Sequence, residues 1–238
     1  MILRRWLLAI LLLCSPALAC ADEPAADFTT AMAQLLATHP DEAGKRADAE
    51  LTRLQQDRAA RSDGRMAAAT WVKAQSLFRL GDAEGARSTV MQAQRMTPPG
   101  ARGQRQRAQN DLLLGLLERG GGNFAEALRL FRQAQSGFLA AHDARGQGLA
   151  LQSLGVLYND VGDGASALRY LRLAQDTYRG DDAFLLSLNN NLCTAYQFSD
   201  NTTESAEQIR QRLALSELHL RRALTIAQRQ GMGAIVTF

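Results

Sequence analysis

The chain has 238 residues, a formal net charge of +3, 46% hydrophobic residues and 6% aromatic ones. That length makes one or two domains, and the composition excludes a disordered chain, while three cysteines exclude a disulfide-dense miniprotein. Few aromatics amid abundant Ala, Leu, Arg, Gln and Glu favour helices over sheets, and so small a charge lends little support to nucleic-acid binding.

The first element is an address. Met1-Ile2-Leu3-Arg4-Arg5 is a basic start, Trp6 to Leu13 an apolar run broken by Ser15-Pro16, and Ala17-Leu18-Ala19-Cys20-Ala21 a small-residue region. That order is the secretory pattern, giving a signal peptide over 1–21; the other readings are an uncleaved anchor or a buried helix. Cleavage after Ala21 removes Arg4 and Arg5, so the mature charge falls to about +1. Cys14 and Cys20 also leave, and Cys193 then stands alone. A rival reading retains Cys20 as a lipidated first residue, because Ala17-Leu18-Ala19-Cys20 resembles a bacterial lipobox, although Ala17 stands where Leu is usual. Beyond the signal, no run reaches the roughly 20 apolar residues of a membrane span.

Residues 22–60 read as an eroded first helix pair, with Phe28 to Ala37 and Asp41 to Asp57 as its helices and His39-Pro40 between them. Repeat-like pairs fill 61–231. In the first clean copy the landmarks are Ala74, Leu77, Gly81, Ala86, Val90 and Ala93, with Pro98 closing the unit. Gly115, Gly122, Ala127, Phe131 and Ala134 mark the second, and Gly155, Tyr158, Gly162, Ala167, Leu171 and Ala174 the third. The small residues Ala74, Gly115 and Gly155 are 41 and 40 residues apart. Each allows a second helix to approach closely, while Gly81, Gly122 and Gly162 suit the left-handed residue that ends a helix. A fourth copy has Leu192-Cys193 and Tyr196, then a polar stretch from Ser199 to Glu204, and its second helix resumes with Ser216, Leu220 and Ala223. Residues 232–238, Met-Gly-Ala-Ile-Val-Thr-Phe, read as the start of a further helix, which points to a longer parent protein; the alternative is a short terminal strut.

The order of small residue, aromatic, Gly turn, then Ala, large apolar residue and Ala resembles the tetratricopeptide repeat. The likeness is best from Leu149 to Tyr178 and weakens where Glu118 replaces the aromatic. It implies an all-α fold, a right-handed superhelix (an α-solenoid) of about five such helix pairs, its concave face lined by the first, or A, helix of each. The export signal followed by such repeats also resembles the sensory half of bacterial diguanylate cyclases. Their Gly-Gly-Asp/Glu-Glu-Phe signature does not occur between Asp22 and Phe238, so only a sensory, noncatalytic role carries over.

Chemistry-bearing motifs are sparse. His39, His142 and His219 are too scattered for a zinc motif, and no cofactor or metal is expected. Cys193 fills a small-residue slot, which favours packing over reactivity. Gly120-Gly121-Gly122 lacks the Lys-Ser/Thr of a phosphate loop, Arg102, Arg105 and Arg107 read as a solvated face rather than an anion site, and Asn201-Thr202-Thr203 fits a glycosylation sequon but reads more simply as an exposed loop. There remains a groove for a protein or peptide partner. By resemblance it is lined by Trp71, Gln75 and Phe78, then Leu112 and Leu116, then Gln152, Val156 and Asn159, then Asn190, Thr194 and Gln197. Trp71, the sole tryptophan past the signal, is its candidate anchor, unless Trp71 and Phe78 merely pack on the preceding helix. The expected role is an exported, periplasmic binding module of a signalling protein, contacting membrane only through its signal, a lipid or a missing C-terminal part. The alternative is an envelope scaffold or lipoprotein.

Overall fold

Helical periodicity holds through nearly all of the chain for which structure is described. The computed structural model describes residues 24–57, 63–198 and 204–230. The signal segment 1–21 with Cys20, the boundary near residue 60, the sequon Asn201-Thr202-Thr203 and the stretch 232–238 lie outside them. Among the described residues there are ten α-helices and no strand. They are α1 (Pro24–Thr38), α2 (Pro40–Leu54), α3 (Arg65–Arg79), α4 (Ala83–Met96), α5 (Gln104–Gly120), α6 (Phe124–Ala140), α7 (Ala144–Asp160), α8 (Gly164–Thr177), α9 (Asp182–Phe198) and α10 (Ala206–Arg229). Consecutive helices pack on one another along the chain, an arrangement compatible with an α-solenoid. The first helix departs from strict pairing, resting more on α3 than on α2.

One turn geometry recurs four times. At Gly81-Asp82, the first N–H bonds Phe78 O at 3.1 Å and the second bonds Leu77 O at 2.9 Å. The same two bonds, at the same lengths, close the turns at Gly122-Asn123, His142-Asp143 and Gly162-Asp163. This pair of bonds is the Schellman motif, which needs a left-handed residue, and φ is +86°, +79°, +53° and +83° in turn. Three of the four positions are glycine as expected; the fourth, between α6 and α7, is His142. The next residue caps the following helix. Asp82, Asp143 and Asp163 accept the N–H of Gly85, Gly146 and Ser166 at 2.8, 2.8 and 2.9 Å, satisfying donors that an uncapped helix leaves bare. Asn123 instead turns its amide to Glu118 Oε2 at 2.7 Å, and Glu118 also pairs with Arg87 of α4. That double engagement gives Glu118 a structural role at the position where the later copy has Tyr158.

The small residues do the close packing assigned to them. A methyl group added to Gly115 would sit 2.6 Å from two ring carbons of the fully buried Phe131, so α5 and α6 interlock there. Gly155 faces Leu171 in the same way, with Cγ 2.6 Å from such a methyl. Ala74 and Val90, both fully buried, share a cluster in the preceding pair. The core is accordingly segmented. One cluster joins α1, α2 and α3, another α2 and α3 through Leu54 and Ala69, a third α3, α4 and α5, and the largest runs from α5 to α9.

Two expectations need correction. The second helix of the last pair starts at Ala206, ten residues before Ser216. Ser205 and Gln208 form a capping box there, Ser205 Oγ accepting from Gln208 N and Gln208 Oε1 from Ser205 N, which is a strong start signal inside the polar stretch. Nor are Arg105 and Arg107, in the first turn of α5, a solvated face, although Arg102 just before them is exposed. Arg107 donates to the carbonyls of Pro98, at 2.7 Å, and Gly100, pinning the loop before α5, and Arg105 reaches Asp143 at 2.7 Å.

Candidate binding surface

The residues proposed to line a groove fall into two structural groups. Trp71, Leu112 and Gln152 occupy corresponding positions on α3, α5 and α7, and the first and last of them reach the next odd-numbered helix. Trp71 is half-buried against both flanking clusters and donates its Nε1–H to Gln109 O of α5 at 3.2 Å. Leu112 is 8% exposed, within the cluster that spans α5 to α9. Gln152, equally buried, donates from Nε2 to Ser187 Oγ of α9, while its Oε1 is buried without a partner. Trp71 and Gln152 are thus struts between odd-numbered helices, and Leu112 is part of the core. Asn190, the corresponding residue of α9, is exposed.

The second group lies a turn or two further along. Gln75, Leu116, Val156 and Thr194 are half-buried, as are Phe78 and Asn159, and Gln197 is exposed. Phe78 and Leu116 each lean on a core cluster with one side. Between Phe78 and Asn159 in the same register stands Arg119, which pairs with Asp160 of α7 at 2.6 Å. Similar pairs join Arg105 to Asp143 at 2.7 Å and Arg145 to Asp181 at 2.8 Å, again linking odd-numbered helices about one repeat apart. The face thus combines half-exposed apolar and amide side chains with fixed ion pairs, suited to hydrogen bonding and apolar contact.

Four cavities lie elsewhere. Two flank the channel between α8 and α10, over α9: one of about 400 Å³ includes Leu185, Asn189, Leu218 and Arg222, and one of about 470 Å³ includes Leu168, Tyr196, Arg212 and Leu215. A third, of about 290 Å³, lies between α2 and α4 with Met66 and Met96 in its wall. A fourth, of about 400 Å³, runs along α6. None of the residues expected to line a groove contributes to these four.

Several chemically notable side chains had no sequence motif to announce them. Asp111 of α5 is half-buried, and no donor among the described residues bonds it. Burial lifts its carboxyl to about 6, against the opposing pull of Arg129 and Arg107. His219 is 6% exposed and lies against Asn189 and Tyr196 of α9. Cys193 is half-buried, its Sγ 3.3 Å from Ser216 Oγ. The available signal was a spacing: Asn189, Cys193 and Tyr196 recur at intervals of four and three, which puts all three on one face of α9. Of the other histidines, His39 precedes α2, with Nδ1 3.0 Å from Thr38 Oγ1, and His142 forms the turn described above. Among the described residues, no group of three or more His, Cys, Asp or Glu could hold a metal ion, and no helix is long and apolar enough to cross a membrane. Compared with protein families, with characterised proteins and with solved structures, the chain matches none.

Proposed function

We propose that this chain is a noncatalytic, exported module of tetratricopeptide-like repeats that binds a protein or peptide, serving as the sensory input of a signalling protein of the diguanylate cyclase type. In this reading the ten helices form five pairs wound into a right-handed superhelix, and the ligand lies along the odd-numbered helices. The observation that carries it is the recurrence, about every 40 residues, of one assembly: a small residue against a large one, followed by a left-handed glycine turn. Such units bury their apolar faces by stacking, which leaves one long face available to a partner. Trp71, Leu112 and Gln152 set the spacing of that face. Gln75, Phe78, Leu116, Val156, Asn159, Thr194 and Gln197, with Asn190 beside them, supply the contacts. A ligand preferring one curvature would then bias whatever the module is joined to.

A photoreactive phenylalanine analogue at Val156 or at the exposed Leu139 of α6 tests the surface in cells producing the full chain. A discrete adduct is expected from Val156 and none from Leu139, and adducts at neither, or the same adduct at both, would refute the assignment. Residues Ala17-Leu18-Ala19-Cys20 favour a second reading, a lipidated envelope scaffold. Palmitate labelling that disappears in Cys20→Ser would select it.

A further inference from the structure

The junction of α9 and α10 carries a seam of polar side chains, with His219 and Ser216 of α10 bonded to Asn189 and Cys193 of α9. His219 Nδ1 lies 2.8 Å from Asn189 Oδ1. The Asn189 amide nitrogen is already committed to Leu185 O at 2.7 Å. Its oxygen therefore faces the imidazole and accepts, which assigns the ring proton to Nδ1 and the lone pair to Nε2. The ring stacks on Tyr196 at 5.6 Å between centroids, with 12° between planes. On the far side of that contact, the Tyr196 hydroxyl accepts from Arg172 Nε and Nη2 at 3.2 and 2.7 Å.

The charged groups acting on His219 are two cations, Arg172 of α8 and Arg222 of its own helix, and no carboxylate joins them among the described residues. The seam's other titratable groups are Tyr196 and Cys193, the latter held by Ser216. A proton arriving at Nε2 therefore meets desolvation and two like charges. The stack on Tyr196 offsets part of that cost through cation–π attraction.

We propose that this seam is a pH-operated latch, in which a proton taken from solvent by His219 Nε2 puts a third positive charge beside Arg172 and Arg222 and loosens α10 from α9. Burial first, then those two guanidiniums, hold the imidazole below its ordinary range, so the docked helix binds the proton less readily than the free one. Docking is accordingly strongest above the ordinary imidazole value of about 6.5 and weakens as the pH falls through the lower, docked one. The latch involves α8, α9 and α10 alone, and stands whether or not the odd-numbered helices bind a peptide.

Hydrogen–deuterium exchange of the full chain at pD 7.5 and 5.0, corrected for intrinsic exchange, tests it. Acidification is expected to reduce protection of α10 at least about threefold relative to α5–α8. His219→Gln keeps a donor for Asn189 and cannot take the charge, so the acid loss should vanish. Arg222→Gln, at an exposed position that folding tolerates, removes one repelling cation and should shrink the loss. Equal α10 protection at both pD values overturns the latch, as does an undiminished acid loss in His219→Gln. Should His219→Gln fail to fold, an undiminished loss in Arg222→Gln is decisive against it.

Discussion

Replacing Gly115 with alanine adds a single methyl, and the structure says where it goes. That carbon would lie 2.6 Å from Cδ1 and Cε1 of Phe131 and 3.3 Å from Leu130 Cβ. Comfortable carbon–carbon contact is about 3.5–4.0 Å, so the ring has to retreat by about 1 Å. Phe131 is fully buried in a cluster that reaches Leu151 and Leu154 of α7, leaving α5 and α6 to separate instead. Overpacking of this kind costs about 1–3 kcal/mol, against about 0.5–1 kcal/mol gained by removing a glycine from a helix. The net expectation is a loss of about 1–2 kcal/mol. Gly120→Ala makes the internal control, since nothing lies within 4 Å of its added methyl, and it should lose nothing. Urea unfolding followed by circular dichroism reads both. Phe131→Leu in the Gly115→Ala background should cost less than the two single changes added, by about 1 kcal/mol, because a smaller side chain relieves the clash. A Gly115→Ala protein as stable as Gly120→Ala, or strict additivity in the double variant, would refute the interlock.

Asp111 gives a pH dependence opposite to the usual carboxylate. Its folded value of about 6 exceeds the free value of 3.8, so its contribution is full below 3.8 and lost as the pH rises through 6. At pH 7.5, Asp111→Asn should therefore be more stable than the parent, by at most about 3 kcal/mol because water still reaches the group, and the advantage should shrink toward pH 4.5. Urea midpoints of both proteins across that range check it; a gap independent of pH removes the claim. His142 holds a left-handed φ of +53° that costs a side-chain-bearing residue about 1–2 kcal/mol. His142→Gly should raise stability by about 0.5–1 kcal/mol after glycine's own entropic cost, read as an increased thermal midpoint, and a lowered midpoint would contradict it.

The parts of the fold that depend on local chain geometry were legible before any coordinates. Gly81, Gly122 and Gly162 announce their turns because few other residues adopt that φ readily, and Gly115 and Gly155 announce close helix approach because nothing larger fits. The equivalent turn at His142 was hidden, since histidine tolerates the conformation without advertising it. The start of α10 was missed for a different reason: the polar residues after Tyr196 read as an insertion, and the Ser205–Gln208 capping box within them went unread. Partners were harder still. Nothing near Trp71 in sequence reveals that its indole N–H ends on Gln109 O, nor does the surrounding sequence tie Gln152 to Ser187. Those bonds cross 38 and 35 residues. Helical face alone therefore could not separate struts from free contacts, and it left Asn189, Arg172 and His219 without any reason to be considered together.

The segmented core has a consequence for how the chain fails. Since Phe131 and Leu171 belong to one cluster and Met32 and Val72 to another, breaking one leaves the other's contacts standing. Damage should stay where it is inflicted, with local opening free energies differing along the molecule. A protease meeting a weakened chain would then cut at one neighbourhood and release pieces that remain helical. A protein built this way wears out in sections, as a chain of rungs rather than as a single knot.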